Sequence, residues 1–210
     1  MIYAGPEADA QNYTYRFKNL GGVLSFTEDM YTWAELPFKA AGGAYASSCV
    51  KGQLRSTFSN NVRHFDAAVQ RQAFTNFTTF ANAYPDANGT GLLWEIFGVQ
   101  GVERVPGNSS AYANRKHVTT LGLLQFDWYN TNDTAGMEEF GRTWRASSVA
   151  NSGYGDDKLY VYTNYARGDE PLEALYGYEP WRLEKLRHLK GIYDPTNQFK
   201  GYHDVQSGER

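Results

Sequence analysis

From Phe65 to Ala83, the residues Phe65, Val69, Ala73, Phe77 and Phe80 recur at steps of three and four, which is the apolar stripe of an amphipathic helix. A stripe of that kind has to be covered, and the next fifty residues offer the cover. "GLLWEIFGVQGVERV" and "HVTTLGLLQFDWYN" read as two strands with the exposed loop "PGNSSAYANRK" between them. Asp66 lies in the first turn of the helix and Pro85-Asp86 ends it. A second helix is predicted from Asp133 to Ala150, with Met137, Phe140, Trp144 and Ser148 on one face and Asp133 or Thr134 as its cap. A strand is predicted over Lys158 to Tyr165. A third helix runs from Pro180 to Tyr193, with Pro180 suited to its first turn and Leu183, Leu186, Leu189 or Lys190, and Tyr193 as its stripe. It stops at Asp194-Pro195, because the residue before a proline resists the helical basin. Upstream, "MIYAG" reads as a short strand and Tyr13 to Leu36 as a strand-rich region broken by Gly21-Gly22, ahead of the connector "AAGGAYASSCVKG". This order argues for an α+β fold, an antiparallel β-sheet covered on one face by α-helices, with a C-terminal helix and Asp-Pro turn.

The 210 residues suffice for one substantial core, and the net charge of -3 gives no polycationic footprint for nucleic acid or an anionic membrane. No apolar run is long enough to span a bilayer, and "MIYAGPEADAQNY" does not read as a signal peptide. Five Asn-x-Ser/Thr sequons, at Asn12, Asn76, Asn88, Asn108 and Asn132, exceed chance and argue for a secreted, glycosylated full-length protein of which this chain is a fragment. The single Cys49 excludes an internal disulfide and a cysteine metal cage. His64, His117, His188 and His203 stand in separate segments without ligand spacing, so no metal is expected. "GGVLSF" and "GGAYAS" lack the strand-to-helix setting of a phosphate-cradling loop, and Ser47-Ser48-Cys49 has no neighbouring base.

"YVYTNYARG", from Tyr160 to Gly168, is unusual for a strand. Tyrosines clustered with an asparagine at a strand end can form a proton-transfer site, since a phenol needs a partner to act as a base. The plainer reading is rings packed on a helix with hydroxyls in water. In a regular strand Tyr160, Tyr162 and Asn164 share one face and Tyr165 takes the other, so one site containing both Asn164 and Tyr165 requires the strand to end or bulge there.

Read onward, the matches are Tyr162, Asn164 and Tyr165, then Tyr176, Gly177, Arg182 and Leu183, then Tyr193, Asp194, Pro195, Asn197 and Phe199, with Gln206-Ser207 behind. In order and spacing this resembles the C-terminal segment of berberine bridge enzyme-like FAD-linked oxidases; Glu179 stands where that pattern has Asn. Upstream, "YTWAELPF" resembles the same family's substrate-binding domain. The resemblance implies residues 1–157 as that substrate-binding domain and 158–210 as the C-terminal segment, with the FAD-binding domain missing and this chain inactive alone. It implies hydride transfer to FAD from an alcohol, sugar or alkaloid-type substrate, an oligosaccharide among them, with dioxygen as acceptor.

Carried over residue by residue, Asn164 would contact the flavin, Tyr162 would line the pocket and Tyr165 would be the base. Glu95, Gln100 and Gln125 are substrate-binding candidates from the central strands, where alternation puts Glu95 on one face and Trp94 and Gln100 on the other. Glu95 and Glu103 are reserve bases. The alternative is a non-catalytic carbohydrate or small-molecule binding protein derived from a truncated oxidase, or a plain interaction domain. The C-terminal helix is expected to pack onto the flavin domain.

Overall fold

The computed structural model describes residues 3–43, 51–115, 120–201 and 203–206. Met1 and Ile2 of the first expected strand, Ser47, Ser48, Cys49, His117 and Ser207 lie outside the described residues. The chain divides into two compact units, Met1–Gly52 and Gln53–Arg210.

In the first unit the expectation of strands is overturned. Tyr3 to Gly5 form no strand, helix α1 spans Glu7–Lys18, residues 19–35 are irregular, and the short helix α2 spans Leu36–Lys39. Aromatic residues at 13, 15 and 17 mimic strand alternation, yet Tyr13 and Phe17 also stand one helical turn apart. Glu7 and Asp9 at the start of α1 and Arg16 and Lys18 at its end favour the helix through its dipole. Gly21 and Gly22 follow at φ 76° and 70°, conformations that glycine adopts freely and that cannot continue a strand.

The second unit is built on a three-stranded antiparallel sheet of order β1-β3-β2, with β1 at Leu54–Val62, β2 at Gly91–Ile96 and β3 at Thr120–Trp128. Phe58 pairs with Leu124, which pairs in turn with Leu92. Helix α3 at Ala67–Ala83 and α5 at Thr134–Ala150 cover one face. There Phe58, Leu124, Phe126 and Trp128 meet Phe80, Met137 and Trp144 in a buried core. Phe80 stacks on Phe140 at 4.4 Å between ring centroids and meets Phe126 edge-on at 5.5 Å. Asp66 is the N-cap of α3 and accepts from the N–H groups of Ala68 and Val69 at 2.8 and 3.0 Å. The predicted face of α5 is the buried one at Met137, Trp144 and Ser148.

Three further expectations change. Strand β1 was not anticipated: "LRSTFSNNV" is largely polar, but Ser59, Asn60 and Asn61 are buried with it, and Asn60 reaches Ser148 of α5 at 3.0 Å. The strand expected over "GLLWEIFGVQGVERV" ends at Ile96, and Gln100 begins the short helix α4 at Gln100–Glu103. Lys158 to Tyr165 form no ladder. Tyr160 C=O accepts from Asn61 N–H at 2.7 Å, whereas Val161 N–H donates to Ala174 C=O at 3.0 Å, so neighbouring backbone groups are claimed by different partners.

Beyond a 3-10 turn at Thr163–Tyr165 lie helices α6 at Leu172–Tyr176 and α7 at Pro180–Tyr193. The stripe of α7 is only partly used: Leu183 is buried, while Leu189 and Tyr193 stay exposed. The Asp-Pro turn closes through Asp194, whose carboxylate accepts from the N–H groups of Gln198 and Phe199 at 2.8 and 3.0 Å.

Candidate functional site

The face of the sheet turned away from α3 and α5 carries Ser59 and Asn61 of β1, Leu121, Leu123 and Gln125 of β3, and Leu93 and Glu95 of β2, by the register of the two ladders. Over this face comes the 3-10 turn. Tyr165 N–H donates to Tyr162 C=O at 2.7 Å, which rotates the chain out of strand alternation. The rings of Tyr162 and Tyr165 consequently meet edge-on at 5.3 Å and 85°. Asn164 Nδ2 donates to Tyr162 Oη at 2.8 Å. The turn is tied down by Ser59 Oγ, which donates to Tyr165 C=O at 3.1 Å.

Across the sheet, Tyr165 Oη donates to Glu95 Oε2 at 2.9 Å, a contact 70 residues apart in the chain. Burial first, then this hydrogen bond and the nearby carboxylate charge, push the Tyr165 phenol up to about 12. At neutral pH the phenol therefore keeps its proton. Whatever proton Tyr165 accepts has to be matched by one it hands on, and Glu95 is the acceptor in contact.

The turn thus brings Tyr162, Asn164 and Tyr165 together and adds Glu95, one of the two reserve bases the sequence offered. Gln125 shares the face but pairs with Gly91, whereas Glu95 pairs with Leu121. Four residues of strand separate the two rows, roughly 13 Å, and the Gln125 amide donates to Asp127 at 2.9 Å. Gln100 and Glu103 are exposed on α4, off the strand.

Two residues escaped the sequence reading. Ser59 anchors the turn, and Asn61 is buried in the same row as Glu95 with both side-chain amide atoms unpartnered. With β1 unrecognised, no signal marked either. Among the described residues no group of three or more His, Cys, Asp or Glu could hold a metal ion, and no helix is long and apolar enough to cross a membrane.

No protein-family model matches the chain. It is 33% identical over 215 residues to the FAD-linked oxidoreductase anuG of Penicillium roqueforti, covering 97% of this chain and 39% of that protein. The FAD-linked oxidoreductase alt4 of Alternaria solani is 30% identical over 211 residues, covering 96% of this chain and 43% of the relative. In structure the chain is similar to BBE-like #28 from Arabidopsis thaliana, with a TM-score of 0.68 at 14% identity over 97% of this chain and 45% of that one. In sequence the chain matches part of curated FAD-linked oxidoreductases, and in structure it shares the fold of the corresponding part of berberine bridge enzyme-like proteins. A second member of that fold, Physcomitrella patens BBE-like 1, superposes with a TM-score of 0.66 at 17% identity over 93% of this chain and 41% of that one. The chain spans about two fifths of the length of the curated relatives it matches.

Proposed function

We propose that this chain is the substrate-side portion of an FAD-dependent oxidase that removes hydride from an alcohol carbon of a small molecule, a sugar, oligosaccharide or alkaloid-type compound. The observation that carries the reading is the 2.9 Å hydrogen bond from Tyr165 Oη to Glu95 Oε2 on the sheet face turned away from α3 and α5. Bound FAD supplies the hydride acceptor, with dioxygen as terminal oxidant and hydrogen peroxide as product.

The exposed end of the cluster suits a flavin ring chemically. With Asn164 Nδ2 given to Tyr162 Oη, the Tyr162 O–H and the Asn164 amide oxygen are left as an adjacent donor and acceptor. The pyrimidine edge of a flavin alternates carbonyl acceptors with an imide N–H, so Tyr162 and Asn164 are the residues here that would hold it. No phosphate-binding group is assigned to this chain; the rest of the full protein would supply it.

Tyr165 and Glu95 then work as a pair. The phenol oxygen of Tyr165 takes the substrate hydroxyl proton as its own proton passes to Glu95 Oε2, so the phenolate never accumulates. Residues 158–210 act as the C-terminal segment, laid against the sheet by the bond from Asn61 N–H to Tyr160 C=O. The reading includes passage of the full protein through the secretory pathway, supported by five sequons that are all exposed.

The test is anaerobic flavin reduction in the full protein. Tyr165→Phe keeps flavin bound and slows reduction by about 10²–10⁴-fold, the usual reach of proton-transfer catalysis. The wild-type rate shows no acceleration near pH 10, where an unperturbed tyrosine ionises, because this phenol titrates at about 12. Reduction at the wild-type rate in Tyr165→Phe overturns the assignment.

A further inference from the structure

Away from the sheet face, the loop after Pro106 and the start of α7 enclose a cavity of about 200 Å³, walled by Gly107, Asn108, Arg115, Glu179, Trp181 and Arg182. That is below the roughly 300 Å³ at which ordinary ligand pockets begin, and it fits a single small ring. Arg182 is a wall rather than a binding group. Buried to 4% exposure, it spends its donors on Glu179 Oε2 at 3.0 Å, Ser110 C=O at 3.3 Å and Gly107 C=O at 2.8 Å. Arg115 differs. Its Nη2 donates to Ser110 Oγ at 2.7 Å, and its Nε is sealed from solvent without a hydrogen-bond partner.

The indole of Trp181 is 38% exposed, with the Arg182 guanidinium 4.5 Å from its ring. Glu179 is paired with Arg182, so the exposed indole is the recognition feature of the cavity, and it suits a ring with an apolar face. One such ring has a built-in point of attachment. Asn108 lines this cavity, is exposed, and opens the sequon Asn108-Ser109-Ser110. Of the other four sequons, Asn12 and Asn76 lie within α1 and α3, Asn132 within a 3-10 turn, and Asn88 directly after one.

We propose that Asn108 carries an N-linked glycan whose first N-acetylglucosamine occupies this cavity, its ring face on Trp181. Asn108 Nδ2 bonds to the sugar C1 and loses one proton. The C1–O bond to a lipid diphosphate breaks, and the diphosphate leaves with the electron pair; the lipid-linked oligosaccharide is the secretory pathway's donor. Transfer precedes folding, while the Ser110 hydroxyl is free. In the folded chain that hydroxyl accepts from Tyr112 N–H at 3.3 Å and from Arg115, so the loop closes around the attached sugar.

The test expresses the full protein through a eukaryotic secretory pathway, maps glycopeptides by mass spectrometry, and follows release by a glycan amidase under native conditions. Asn108 is expected to be occupied and its glycan released about tenfold more slowly than that of Asn88, the scale of one good ring contact. Trp181→Ala is expected to equalise the two rates. Independently of how that variant folds, Asn108→Gln is expected to lower Tm by a few degrees, whereas Asn88→Gln leaves it unchanged. An empty Asn108 beside an occupied Asn88, equal release rates in the wild type, or protection surviving in folded Trp181→Ala overturns the proposal alone. No sugar at any sequon overturns it together with the secretory reading.

Discussion

Replacing Glu170 by Gln should loosen the segment that holds the tyrosine turn. Directly after Tyr165 the chain runs through buried Ala166, Arg167 and Gly168 to Glu170. The Glu170 carboxylate, with no exposed side-chain surface, accepts from Arg167 N–H at 3.2 and 3.1 Å, from Gly168 N–H at 2.9 Å and from Arg145 Nη1 at 3.1 Å. A glutamine keeps the shape but turns one acceptor into a donor that faces donors. It also leaves Arg145 half-paired. Breaking a buried pair costs about 3–5 kcal/mol; with Asp169 still holding Arg145 at 2.8 Å, about 3 kcal/mol is expected. For a chain of this size that lowers Tm by about 6–12 °C. The internal control is Asp169→Asn, which removes a half-exposed partner of the same arginine and costs at most about 1 kcal/mol. Urea unfolding followed by both circular dichroism and tryptophan fluorescence gives the two differences, and coincident curves license their comparison. A Glu170→Gln loss below about 1 kcal/mol, or no larger than that of Asp169→Asn, refutes the reasoning.

Gly141→Ala should destabilise although alanine favours helices, because a Cβ there would run into the Phe58 ring. Overpacking costs about 1–3 kcal/mol against a propensity gain of about 1 kcal/mol, and thermal unfolding reads the net sign. Asp66→Ala should lower Tm at neutral pH by removing the cap of α3. The hydrogen bonds from Val69 N–H and then Ala68 N–H hold the Asp66 carboxyl below its ordinary value. Its contribution is therefore present above the ordinary aspartate value of about 4 and fades as pH falls through the lowered one, so the Tm gap between wild type and variant should close in acid.

Helices α3, α5 and α7 were legible because each carries an apolar stripe: α5 and α7 begin and end within a residue of the boundaries that Asp133, Pro180 and Asp194 mark. Strand β1 was not, since Phe58 and Val62 are its only large apolar interior residues and its buried Asn60 is satisfied by a helix 88 residues away. No local pattern encodes that partner. The N-terminal unit misled for the opposite reason, as spaced aromatics fit two periods and the charges at the two ends of α1 decide between them. At the site, Tyr162, Asn164 and Tyr165 were legible through order and spacing. The break in alternation that their shared site demanded is the 3-10 turn at Thr163–Tyr165. Which carboxylate meets Tyr165 depended on where β2 ends and how it registers on β3, and strand ends are set by tertiary pairing rather than by alternation.

The central claim is that Tyr165 and Glu95 accept the substrate proton as one unit, and a double-mutant cycle on anaerobic flavin reduction in the full protein tests it most directly. If the pair works as a unit, Tyr165→Phe and Glu95→Gln each slow reduction by about 10²–10⁴-fold, and the double variant is within about threefold of the slower single one. Losses that multiply, with the double variant slower by the product of the two, would contradict the account.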